Sequence, residues 1–107
     1  MEIKRTGLNS AAVARPYETS ADDLASAVRR AIGSLKRWRV EGEAGGKSMA
    51  VRSTRLFGFE DDVTIKISGF GKKSEAVFES KSRAGHYDFG QNRRNLKELL
   101  EAIERSL

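Results

Sequence analysis

The strongest constraint on this chain is the order in which its hydrophobic period changes. Leu24, Val28, Ala31, Ile32 and Leu35 recur at spacings of three and four, one apolar stripe on a helix of about four turns. Ser20 stands just ahead of that run, with Asp22 and Asp23 in the first turn. A hydroxyl there can cap free N–H groups, and the helix dipole favours acid beside them. Gly33 weakens the last turn. The period then falls to two. Trp38 and Val40 alternate with Arg37, Arg39 and Glu41, and Met49 with Val51 continues the alternation on a next strand. Val63, Ile65 and Ile67 point inward from the cleanest strand, and Ala76, Phe78, Ser80 and Ser82 share one face of the last. Ala44-Gly45-Gly46-Lys47 supplies the positive-φ residues of a tight hairpin, Leu56-Phe57-Gly58-Phe59 an aromatic turn, and residues 69–73 a loop. The helical period returns with Leu96, Leu99, Leu100, Ile103 and Leu107, which predicts a helix over residues 89–105.

Upstream, residues 12–18 read as a short edge strand, because Pro16 cannot donate to a ladder. Residues 1–11 show no period and read as a loose arm ahead of a single domain spanning 12–107. The order is (β)-α-β-β-β-β-α. Strands joined by short turns pair antiparallel, and two one-striped helices must share a sheet face to bury those stripes. The expected fold is therefore α+β and two-layered, a four- to five-stranded antiparallel sheet with two helices on one face.

Composition sets the outer limits. A chain of 107 residues makes one domain that buries about two thirds of its unfolded surface. The absence of cysteine excludes disulfides, thiolate catalysis and cysteine-based metal sites. No apolar run approaches the ~18 residues of a membrane span. Residues 1–5 lack the apolar core of a secretory signal, so the expected location is cytoplasmic. A net charge of +5 permits anionic partners without demanding them, since the basic residues are dispersed apart from clusters at Lys36-Arg37-Arg39 and Arg93-Arg94-Lys97.

Residues 80–94 crowd together two serines, three arginines, the single histidine and an aspartate, where the last strand runs into the last helix. Asp88 stands as an N-cap, with Gln91 three residues on in the reciprocal place of a capping box. The amides of Gly90, Gln91 and Asn92 would then face a helix mouth that attracts anions. Asn92 falls one turn before Leu96 on the core stripe, so Asn92, Ser80 and Ser82 all need hydrogen-bond partners. Arg83 and Arg93 can offer paired donors to a carboxylate or phosphate, and Asp62 or Asp61 can meet them from the neighbouring strand.

Phe57-Gly58-Phe59, then Asp61-Asp62-Val63, then Ser80-x-Ser82-Arg83-x-Gly85-x-x-Asp88-x-Gly90-x-Asn92-Arg93-Arg94, resembles domain-of-unknown-function family 1499. These are small bacterial and plant plastid proteins, and the resemblance runs from about residue 16 to the end. The chain departs from the family at Ala84, where a larger aliphatic residue is usual, and in lacking an N-terminal cysteine-containing stretch. The resemblance implies a fold but supplies no reaction, cofactor or catalytic residue.

Several function classes can be weighed on the residues alone. His86, Asp88 and Ser80 or Ser82 are the types of a hydrolase's base, orienting acid and nucleophile, but no Gly-x-Ser-x-Gly places a serine on a sharp turn. Asp61, Asp62, Asp88 and His86 have no metal-ligand spacing, and no glycine loop of phosphate-binding type occurs. No cofactor or metal is expected. Lys36-Arg37-Trp38-Arg39 interleaves a ring with charges, but alternation turns Trp38 to the apolar side, which disfavours nucleic acid. The expectation is a non-catalytic domain that binds an anionic small molecule or an acidic protein partner. Its site is the junction of Asp62, Ser80, Ser82, Arg83, Asp88, Asn92 and Arg93. The alternative is that these residues form an internal salt-bridge and capping lock.

Overall fold

Alternation and helical stripe meet on one face of a single sheet. The computed structural model describes residues 2–54, 58–84 and 88–107. Its elements are β1 (Lys4–Gly7), β2 (Ser10–Tyr17), α1 (Ala21–Ser34), β3 (Trp38–Ala44), β4 (Lys47–Ser53), β5 (Glu60–Phe70), β6 (Lys73–Ser82) and α2 (Gln91–Ser106). The strands lie in the order β1-β2-β6-β5-β4-β3, each antiparallel to its neighbours. The class is α+β, as the hydropathy pattern predicts, with six strands rather than four or five.

The extra strand comes from the segment read as a loose arm. Lys4–Gly7 pairs with the start of β2, and all four residues are exposed. An edge strand with nothing to bury leaves no hydropathy signal; only its backbone betrays it. The β1 pairing reaches no further than Ala12, so Pro16, opposite Glu75 of β6, lies where one side of β2 is open.

Both helices cover the inner face. Leu24, Val28 and Ile32 of α1 and Leu96, Leu99 and Ile103 of α2 close over Val63, Ile65, Ala76 and Phe78, all essentially inaccessible to water. Each of these leucine, isoleucine, valine and phenylalanine side chains contributes about 1.5–3 kcal/mol. Helix α1 starts as its sequence predicts, with Ser20 Oγ accepting from the Asp23 amide at 3.2 Å. Gly69 lets β5 pass its first residue, since a Cβ there would stand 2.8 Å from Ala21 Cβ. Among the described residues no helix is long and apolar enough to cross a membrane.

One strand is turned over. Met49 and Val51 sit on the outer face, because the register pairs Ala50, not Val51, with the inward Val63. Met49 is half-exposed there. Val51 is fully buried, beneath its cross-strand neighbours Arg39 and Asp62. Trp38 and Val40 do share the inner face, but Val40 lies at the sheet's margin and stays exposed.

Candidate functional site

Where β6 meets α2, alternation places Ser80 and Ser82 on the inner face and the helix stripe brings Asn92 and Asn95 against them, all buried. Asn92 is the hub. Its side-chain amide nitrogen shares its two hydrogens among an Asp88 carboxylate oxygen at 2.7 Å, the Asn9 carbonyl at 2.8 Å and Ser82 Oγ at 2.9 Å. Its oxygen accepts from Ser80 Oγ at 2.6 Å. Asn95 extends the network, donating to Asp61 Oδ2 at 2.7 Å and to Ser80 Oγ at 3.2 Å while accepting from the Gln91 side chain. Buried polar groups are costly unless matched in this way.

Asp88 does part of the task its position predicts. Its carboxylate accepts from the amides of Gly90 at 2.9 Å and Asn92 at 3.3 Å, but Gly90, with φ of 80°, is the residue that caps α2. The reciprocal half of a capping box is absent: Gln91 bonds to Asn95 and Arg94 instead of reaching back. The reason is the turn through Phe89 and Gly90, both left-handed, which sets Asp88 two residues ahead of the N-cap. Burial pushes the Asp88 carboxyl up. Hydrogen bonds from the Asn92 side chain and from the Gly90 and Asn92 amides, with Arg5 nearby, outweigh that and hold it below the usual aspartate range. The anion at this helix mouth is the protein's own.

Asp62 and Arg83 adjoin Asp61 and Ser82 in sequence but point to the opposite face. Arg83 Nη2 meets Asp62 at 2.9 Å and Glu41 at 2.8 Å, and Nη1 meets Glu60 at 2.7 Å. Arg39 joins through Glu60 at 2.6 Å. Hydrogen bonds to Asp62, then Glu41, push the Arg83 pKa up and hold the cation charged. The expected Asp62–Arg83 pair therefore forms, on the wet side of the sheet.

Arg93 joins neither group. It stands on the exposed side of α2 and lines a cleft of about 630 Å³ between that helix and the N-terminal strands. Arg93, Arg94 and Lys97 gather at the helix's N-terminal half, with Arg15 of β2 opposite and Ile3 and Leu100 as apolar wall, while Glu2, Glu101 and Glu104 also line the cleft and leave it one positive charge in excess. Arg94 is occupied by the Phe89 carbonyl and Gln91, and Arg15 lies 3.9 Å from Glu104. Arg93 and Lys97 make no ion pair with any described residue.

The structure thus brings together Ser80, Ser82, Asp88 and Asn92, and separately Asp62 with Arg83, while Arg93 stands apart. Asp61 and Asp62 face opposite ways, so they do not converge with Asp88 on a metal, and no acid or histidine cluster suited to a metal occurs among the described residues. His86, Leu56 and Phe57 lie outside the described residues. Asn95 and Asn9 were not anticipated. Asn95 could have been read from the stripe, three residues after Asn92 and one before Leu96. Asn9 could not, because its carbonyl arrives only through the pairing of β2 with β6.

Residues 6–103 match the family described as "Protein of unknown function (DUF1499)", and the chain belongs to that family. No curated protein matches it. Among solved structures it is similar to a START superfamily protein from Mycobacterium smegmatis at 12% identity and a TM-score of 0.63, covering 90% of this chain and 94% of that one. A protein from Micromonospora echinospora aligns at 11% identity and TM-score 0.54, covering 98% and 82%. One from Chromobacterium violaceum aligns at 8% and 0.53, covering 89% and 94%. At such identities the likeness is one of fold.

Proposed function

We propose that this DUF1499 protein is a non-catalytic domain that binds a small anion in the cleft beside α2, and that the buried junction is the lock that holds the cleft's wall in place. The observation that carries the reading is the pair Arg93 and Lys97: two cations one helical turn apart, free of ion pairs with described residues and lining a cleft with Ile3 and Leu100. Side chains four apart on a helix lie on one face, so one phosphate or dicarboxylate can meet both. The junction itself is a poor receptor. Its hydroxyls, amides and carboxylates are spent on one another, and Asp88 already fills the anion position at the helix mouth.

Thermal shift with inorganic phosphate, sulfate and succinate tests this, on the parent protein and on Arg93→Ala and Lys97→Ala. An anion at a hundred times its Kd adds about 2.7 kcal/mol, visible as a clear rise in Tm. Both variants change exposed residues and should melt like the parent without ligand, then lose the rise. No response to any dianion, or a rise that survives in both variants, would overturn the reading.

A further inference from the structure

The outer face of the sheet has no covering layer among the described residues. On it Lys47 of β4 and Lys66 of β5 stand directly opposite one another in the ladder. Like charges in that position repel and weaken a sheet. Both are exposed, and neither has an ion pair with a described residue. Beside them lies apolar surface. A trough of about 580 Å³ runs over Ala12, Ala14 and Val77, flanked by Glu2 and by Lys4 and Thr6 of β1. A second hollow, of about 200 Å³, shares Ala12 and Val77 with it and is lined by Thr64, Glu79 and the two lysines, which leave it one positive charge in excess. Val77 and Met49 are each 42% exposed.

From this arrangement we infer that the outer sheet face docks an acidic polypeptide segment, with a carboxylate bridging Lys47 and Lys66 and apolar side chains lying in the alanine-floored trough. A bridging carboxylate turns the repulsion between the lysines into attraction. The alanines leave room for side chains from outside, and the net charge of +5 draws acidic chains to the protein. Nucleic acid fits this face less well. Single strands need rings to stack on, whereas Trp38 is buried on the inner face and Phe70 lies at the hairpin tip, four residues beyond Lys66.

Amide NMR titration tests the inference with three probes: a short peptide of alternating glutamate and leucine, its lysine–leucine counterpart, and oligothymidylate. The acidic peptide should move the resonances of residues 12–14, 47–49, 64–66 and 77, and its binding should weaken as salt rises. Lys66→Glu should raise Tm by relieving the repulsion, yet weaken acidic-peptide binding about tenfold or more. Lys47→Gln provides a milder second variant with the same expected loss. The inference fails if the acidic peptide leaves those resonances unmoved or if both variants bind it like the parent. It fails equally if oligothymidylate or the basic peptide binds the face as well as the acidic one does.

Discussion

Two dipeptides, Asp61-Asp62 and Ser82-Arg83, each send one residue to either face of the sheet, and the two polar clusters they feed could hardly differ more. Asp61 and Ser82 enter a closed network with Ser80, Asp88, Asn92 and Asn95, six buried residues matched to one another or to backbone. Asp62 and Arg83 enter an open one with Glu41, Glu60 and Arg39, where the partners are charged but bathed in water. A partner lost inside strands a polar group away from solvent, at about 1–3 kcal/mol per orphan. A partner lost outside is replaced by water and salt. Position relative to the sheet, rather than residue type, decides what each contact is worth.

That contrast can be broken most forcefully at the hub. Asn92→Ala removes the partner of Ser80, Ser82, Asp88 and the Asn9 carbonyl together, and should cost about 3 kcal/mol or more in urea unfolding. The adjacent aspartates sharpen it. Asp61→Ala, which removes the nearer of the two acceptors of the buried Asn95 amide, should cost about 2 kcal/mol, whereas Asp62→Ala should barely move the urea midpoint. Asp88→Ala should cost about 1 kcal/mol through the acceptor it takes from the Gly90 and Asn92 amides and the Asn92 side chain. Because the Asp88 pKa is depressed in the fold, its contribution is complete above the ordinary value of about 3.9 and disappears as pH falls through the lower folded value. Melting curves taken from about pH 6 down to about pH 2 should therefore fall less steeply for Asp88→Asn than for the parent. Arg83→Ala should have the smallest effect, and what remains of it should vanish in high salt.

Legibility in the sequence followed burial. The stripes of α1 and α2 and the inner faces of β5 and β6 could be read because each buries one side only, which forces a period. Ser80, Ser82 and Asn92 were legible by the same rule, as polar residues at apolar positions. β1 was invisible because Lys4–Gly7 buries nothing. Met49 and Val51 misled, because Val51 is covered by charged neighbours on the outer face and so looks like core from either side. The neighbouring of β2 and β6, which delivers Asn9 to Asn92, depends on chain topology and has no local signature. Arg93 looked like part of the junction by proximity in sequence, yet the helical turn carries it outward, one hundred degrees on from Asn92.

The buried junction acts as one unit, and a double-mutant cycle between Asp88→Ala and Asn92→Ala tests this. With the four proteins compared by urea unfolding, the expected coupling energy is about 1 kcal/mol, nearly the whole cost of Asp88→Ala, because the first loss already spoils what the second would remove. Losses that simply add, to within about 0.5 kcal/mol, would show two independent contacts and contradict it.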